Sequence, residues 1–292
     1  MELRRQFNQK LLDVPSSLTM KELDEPRETM LLLRGDPSRP GPRVTASVPR
    51  IFPHWSDDRP RNRLGLAEWL VTDAAHVTAR VTVNRIWRRL FGAALARGPE
   101  NLGLQSEAPS HPQLLDWLAK EFIDSKWNVK HLIELMVSSA TWRQSSAVTS
   151  AQHTTDPENR LLSRAARYRL DAEVIRDNAL VVCGLLNRRV GGRSVFPPQP
   201  EGLWDEIEGN EEAGLKWIES TGSDRYRRGM YTFWRRSMPY PLFTVFDAPQ
   251  REECTVSRSR TNTPLQALAA QNDPVMVEAA EMLAERIQNE SP

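Results

Sequence analysis

The feature that most limits the folds open to this chain is a repeated start signal: a short polar residue, then proline, then apolar residues at helical spacing. In "TNTPLQALAAQNDP", Thr263 and Gln266 have the spacing of a capping box, in which the hydroxyl accepts from the third helical amide and the glutamine returns to the cap amide. Pro264 falls at the first helical position, where its missing N–H costs nothing. Leu265, Leu268 and Ala269 form the expected apolar face, and the segment stops at Asn272-Asp273 because a residue before proline disfavours the helical region. Asp273 with Pro274 opens a further helix carrying Val275, Met276, Ala279, Leu283 and Ile287. The Asp-Pro start recurs at Asp156, and Ser110 with Gln113 repeats the capping-box spacing.

Between these starts lie amphipathic stripes. "HVTARVTVNRIWRRLFG" puts Ala79, Val83, Ile86, Trp87 and Leu90 on one face. Leu114, Leu115, Leu118 and Phe122 make a second stripe, Leu132, Leu135 and Met136 a third, and "RLDAEVIRDNALVVCGLLN" a long helix closed by Asn187. Residues 3–13 also read as helix. Strand signals are few: a short strand in "ETMLLLRG", turning at Gly35-Asp36-Pro37, and another in "YTFW" at 231–234. Arg34-Gly35-Asp36 reads as part of that turn, not as an adhesion motif. The expected fold is mainly α, a helical bundle or orthogonal array with a small β element and long proline-rich loops. Residues 1–60 read as an N-terminal helix, strand and proline-rich linker, and 61–292 as the main helical domain. Both ends read as unfinished helices, as in a piece of a longer protein.

Charge and cysteine usage exclude several functions. The chain has 39 basic and 38 acidic side chains, so no global field draws it to nucleic acid or an anionic membrane. "RYRRGMYTFWRR" interleaves arginine with aromatics, but without a binding module it reads as pairing with nearby acidic residues. No apolar run approaches the about 18 residues of a membrane span, and the opening residues lack the apolar core of a signal peptide. Cys183 and Cys254 have no metal-ligand or haem-attachment spacing, so no metal site or cofactor is expected in this chain. Cys183 reads as core, and a Cys183–Cys254 pair is the alternative in an oxidising compartment.

"HVTARVTVNRIWRRLFG", "GPENLGLQSEAPSHPQLLDWLAKEF", "SSATWRQSS", "RLDAEVIRDNAL", "SVFPPQPEGLW", "YRRGMYTFWRR" and "FDAPQREECTVSRSRTNTPLQALAAQNDP" occur in that order. Together with "KELDEPRETMLLLRGDPSRPGPRV", this series resembles the planctomycete-specific C-terminal domain of unknown function found in exported proteins, often downstream of a cytochrome c domain. The resemblance implies an extracytoplasmic location and a cytochrome c domain of the same or a neighbouring protein as partner. It also implies haem c in an upstream domain of the parent protein, and a link to polysaccharide use with a glycan as ligand. Trp142 stands where that pattern more often has tyrosine.

The residues themselves offer three candidate sites. Glu173 and Asp177 are four apart on one helix, a carboxylate pair of the kind that hydrolyses glycosides if held across a sugar and otherwise ties a helix to its neighbours. His111 opens a helix as a candidate ligand or acid–base group, yet no second histidine follows at metal-ligand spacing. The loop from Asp247 through Arg251, Glu252 and Arg258 to Asn262, with Asn272 beyond, is too charged for a simple connection. It reads either as a structural clasp or as the lining of a ligand pocket. Trp204, Trp217 and Trp234 lie in irregular stretches, and Trp204 and Trp234 are candidates for sugar stacking. Trp69, Trp87 and Trp117 read as core. Two functions remain: a recognition or scaffold module, or an enzyme acting on a sugar as a glycoside hydrolase or as an oxidoreductase passing electrons to a haem partner.

Overall fold

In the computed structural model, residues 18–98, 101–103, 105–203 and 217–290 are described. The fold is mainly α with one small antiparallel sheet, as the stripes and the few strand signals predict. Strands β1 (Thr29–Leu32) and β2 (Pro40–Val44) pair with Thr29 opposite Val44 and Met30 opposite Arg43. The turn between them runs through a 3-10 segment at Leu33–Gly35, with Arg34 and Gly35 at positive φ, and the Asp36 carboxylate accepts from the Ser38 amide at 2.9 Å. Arg34-Gly35-Asp36 is therefore a hairpin turn. The expected helix at 3–13 lies outside the described residues.

Helices follow as α1 (Arg63–Val71), α2 (Ala75–Phe91), α3 (Pro112–Asp124), α4 (Val129–Val137), α5 (Ser150–Thr155), α6 (Ala172–Val182), α7 (Pro241–Val245), α8 (Pro264–Asn272) and α9 (Pro274–Glu290). Residues Met1–Val83 with Leu114–Leu132 form one unit, and Asn84–Gln113 with Ile133–Pro292 a second.

In the first unit, Trp55, Trp69 and Ala74 bury one another with Val48 alongside, and the Trp69 indole donates to the Pro53 carbonyl at 3.0 Å. Gly65 in α1 permits this close approach, because a Cβ there would lie 2.0 Å from the Pro60 carbonyl oxygen. The stripe of α3 is buried at Leu115, Leu118 and Phe122, whereas Trp117 is 52% exposed and is not core. Its neighbours fall on the inner face, and Trp117 sits two residues from Leu115, too far around a 3.6-residue turn to join them.

The core of the second unit is built from Ala172, Tyr240, Leu242, Phe243 and Phe246, flanked by Trp217, Trp234, Ala269 and Met276. Trp217 stacks on Tyr240 with centroids 5.8 Å apart, and Phe196 stacks on Phe233 at 4.8 Å. Two starts behave as expected: α8 carries both arms of the Thr263–Gln266 capping box, and α9 begins at Pro274. Asp156 does not. It ends α5, and its carboxylate instead accepts from the amides of Arg160 at 2.7 Å and Leu161 at 2.8 Å, so the signal makes a turn.

Three further expectations are corrected. Leu265 and Leu268 are 57% and 55% exposed, so the buried face of α8 is carried by Gln266 with Ala269 partly covered. Helix α6 ends at Val182, not Asn187, because Gly184 takes a φ of +85° that terminates it. The strand expected at 231–234 is only an isolated bridge, Val195 to Thr232, after a 3-10 turn at Gly229–Tyr231. Arginine does there what a sheet would do elsewhere. Fully buried Arg176 donates to the carbonyls of Arg227 at 2.7 Å and Arg225 at 3.0 Å. Arg227 in turn donates to those of Arg193, Arg189 and Gly191 while lying 3.8 Å over the Tyr231 ring. These two guanidiniums thus supply donors to five backbone carbonyls of this irregular stretch.

Candidate functional site

The charged loop before α8 is organised by three clasps. Asp247, at a φ of +60°, accepts from the Thr261 amide at 2.7 Å, from the Thr261 hydroxyl at 2.8 Å, and from the Arg169 guanidinium. Arg169 also donates to the carbonyls of Thr261 at 3.0 Å and Phe246 at 3.1 Å, fixing both ends of the loop. Burial works to raise the Asp247 carboxyl, but the Thr261 and Arg169 hydrogen bonds outweigh it and hold the group below the usual carboxylate range. Buried Gln266 donates to the Val245 carbonyl and to the Thr261 hydroxyl, each at 3.0 Å. Arg258 forks onto the Glu173 carboxylate at 2.6 and 3.2 Å and comes within 3.7 Å of Asp171.

These clasps decide the fate of the carboxylate pair. For Glu173 burial raises the pKa and the Arg258 hydrogen bond lowers it, with the lowering dominant. For Asp177 burial dominates and the pKa is raised, even though its carboxylate accepts from the Gly229 amide at 2.6 Å. Divergent pKa values on two nearby carboxylates are the pattern of an acid and a base. Here, however, the first is occupied by arginine and the second by a main-chain amide. His111 has its Nδ1 3.0 Å from the Ser110 hydroxyl and belongs to neither clasp.

Of the remaining candidates, Asp247, Arg251, Glu252 and Arg258 line one cavity of about 610 Å³. Arg251 lies 4.2 Å over the Trp234 ring, so this indole already carries a cation on its face. Asn262 is exposed and lines none of these cavities, and Asn272 turns back to the Leu268 carbonyl of its own helix at 2.8 Å. Trp204 lies outside the described residues. Arg225, expected to meet acidic residues of 205–212 outside the described set, pairs with Glu219 and Glu278, each at 3.3 Å.

A different cavity, of about 370 Å³, was not anticipated. Trp87, Phe91, Leu95, Arg97, Ser110 and His153 line it together with Glu158, Asn159, Arg164, Arg167 and Tyr168. Trp87 and Phe91 are stacked with centroids 3.8 Å apart, and Trp142 packs edge-on against Phe91 at 5.4 Å. Tyr168 donates to the carbonyls of Arg89 and Leu90, each at 2.9 Å. On the polar side, Arg97 pairs with Glu158 at 2.6 Å. Asn159 donates to the Arg164 carbonyl at 2.8 Å, and Arg164 donates to those of Asp156 and Pro157. Two buried atoms of these residues have no hydrogen-bond partner among the described residues, Asn159 Oδ1 and Arg164 Nη1, one an acceptor and one a donor. The apolar stripe of α2 foretells the aromatic wall. The polar wall comes from the irregular segment 157–168, where periodicity carries no signal.

Both cysteines are unpaired, Cys183 buried and Cys254 exposed. Among the described residues no cluster of metal-ligating side chains occurs, and no helix is long and apolar enough to cross a membrane.

The fold and its clefts define a mainly α domain whose arginines and aromatics line ligand-sized cavities. The chain belongs to the family described as PSD1, protein of unknown function (DUF1553), whose model matches residues 62–291. No curated protein and no solved structure matches the chain.

Proposed function

We propose that this chain is a recognition module, without chemistry of its own, that holds a carbohydrate in the cavity beside Trp87. In this reading it works outside the cytoplasm, as part of a larger cytochrome c-associated protein engaged in polysaccharide use. The observation that carries the carbohydrate reading is one cavity of about 370 Å³ lined both by a stacked Trp87–Phe91 wall and by Asn159 and Arg164, each of which holds a buried polar atom without a partner among the described residues. A sugar offers an apolar face for the first and hydroxyls that both donate and accept for the second, so it satisfies groups that are otherwise costly to bury. The location and the haem partner rest on the family resemblance alone.

The enzyme reading is less well supported. A hydrolytic carboxylate pair must be free to meet a proton and an anomeric carbon, and Glu173 is held by Arg258 while Asp177 receives the Gly229 amide. A glycan array probed with the chain tests the proposal, followed by calorimetric titration of the strongest binder against Asn159→Ala and Glu173→Gln. Loss of binding in the first variant alone supports the cavity. No bound glycan, or equal loss in both variants, overturns it.

A further inference from the structure

The polar wall of the cavity beside Trp87 carries more cations than anions. Arg97, Arg160, Arg164 and Arg167 line it, against the single carboxylate of Glu158 among the described residues. Three of these arginines have an acidic neighbour. Arg97 pairs with Glu158 at 2.6 Å, Arg160 pairs with Glu107 at 2.7 Å, and Arg164 and the Asp156 carboxylate attract one another. Glu107 and Asp156 do not line the cavity, so two of the three counter-charges lie outside its border. The side chain of Arg167 is exposed and has neither an ion pair nor a hydrogen bond among the described residues. Because the whole chain carries a net charge of only +1, this excess is local and not a share of a general positive field.

The segment that bears Arg167 has no regular secondary structure, yet it is held on both sides. The Ala165 amide donates to the Ser145 carbonyl at 3.0 Å. The Tyr168 hydroxyl donates to the carbonyls of Arg89 and Leu90, each at 2.9 Å, and Arg260 lies 4.6 Å over the Tyr168 ring. The backbone at Arg167 is therefore fixed between two anchors at the border of the cavity. A cation on a held segment loses less freedom on meeting a ligand than one on a free loop.

We infer that the sugar this cavity takes is an acidic one, bearing a carboxylate or a sulfate group, and that Arg167 receives the anion. This inference rests on the carbohydrate reading above and narrows it to a class of sugar. A guanidinium donates two parallel N–H groups to such oxygens, while the stacked Trp87–Phe91 wall serves the apolar face of the same ring. A neutral sugar leaves the Arg167 charge without a counter-ion. An acidic sugar supplies one in a partly enclosed space, where the attraction is stronger than in open water.

The test is a glycan array in which neutral oligosaccharides stand beside their uronate and sulfated counterparts, probed with the chain and followed by calorimetric titration of the bound sets. The acidic members are expected to bind roughly tenfold more tightly than the neutral ones, with the margin narrowing as sodium chloride is raised. A preference for uronates identifies the group as a carboxylate, and a preference for sulfated forms identifies it as a sulfate. Arg167→Gln should remove the preference, and Arg34→Gln, the same loss of charge on the β1–β2 turn, should leave it within about twofold. Equal binding of neutral and acidic members, or an equal effect of the two substitutions, overturns this inference and leaves the carbohydrate reading standing. Binding of no glycan at all removes both.

Discussion

Arg258 and Glu173 meet as a fork, with both terminal guanidinium nitrogens on one carboxylate at 2.6 and 3.2 Å, and this contact joins the loop before α8 to the first turn of α6. Both side chains are mostly covered, at 22% and 17% exposed. Arg258→Met should therefore cost about 2 kcal/mol at neutral pH, more than a solvated surface pair and less than a fully buried one. The sign of its pH dependence follows from Glu173. A depressed pKa means that the folded chain binds this proton less tightly than the unfolded chain. The stabilisation is thus complete above the ordinary glutamate value of about 4.3 and is lost as pH falls through the depressed value. Urea unfolding of the parent and the variant at pH 7 and pH 3 should show the difference shrinking in acid; a constant difference would assign the cost to packing.

The entrance to α8 ranks three substitutions. Asn262 makes no hydrogen bond among the described residues and is exposed, so Asn262→Ala should change stability by less than about 0.5 kcal/mol. Thr263→Ala removes one cap, worth about 1 kcal/mol, and the bond it loses, from the Gln266 amide to the Thr263 hydroxyl, is long, at 3.4 Å. Gln266→Ala strands the Val245 carbonyl, takes one donor from the Thr261 hydroxyl, which keeps its bond to Asp247, and should cost about 2 kcal/mol. Thermal melts of the three variants check the order, and a Thr263 effect larger than that of Gln266 would make the helix cap, not the loop clasp, the main contact.

At the junction of α8 and α9, burial pushes the Asp273 carboxyl up while its hydrogen bonds to the Val275 and Met276 amides pull it down. The folded chain therefore binds this proton more tightly than the unfolded one, and stability is lost as pH rises from about 3.9 through the raised value. Asp273→Asn retains an acceptor for the Val275 amide, bonded at 3.0 Å, and removes the buried charge. It should be at least as stable as the parent at pH 7, while Asp273→Ala loses about 1 kcal/mol with the cap. Melting temperatures at pH 4 and pH 7 decide this. An asparagine variant less stable than the parent at pH 7 would mean that the negative charge is needed, with Arg176 as its partner.

Gly92 follows α2 at a φ of +80°, and a Cβ there would lie 2.6 Å from the Tyr168 ring. Gly92→Ala combines left-handed strain with that clash and should lose about 2 kcal/mol or more. Both residues line the Trp87 cavity, so the same variant should weaken glycan binding. Calorimetry at a temperature where the variant remains folded separates the two effects.

The sequence made the helices legible wherever caps and a 3.6-residue stripe coincided, as at Thr263, Pro274 and the Ala79–Val83–Trp87 face. It failed where one chemical signal serves two ends. Asp-Pro opens α9 but closes a turn at Asp156, and the difference lies in which amides reach the carboxylate. Asp247, Arg251, Glu252 and Arg258 were found because local charge density is visible in one dimension. Their partners were not, since Arg169 and Glu173 lie 78 and 85 residues away from Asp247 and Arg258 respectively. Asn159 and Arg164 escaped for a related reason: an unused donor or acceptor is a property of surroundings, and no residue type announces it.

Arg176 and Arg227 grip carbonyl oxygens, and a carbonyl is the same whichever amino acid bears it. The stretches they hold can therefore exchange side chains freely without losing their path. The two arginines have no such latitude, because a lysine ammonium cannot span two carbonyls with a rigid planar fork. Sequence drift in this part of the chain should thus fall on the residues being held and spare the two that hold them.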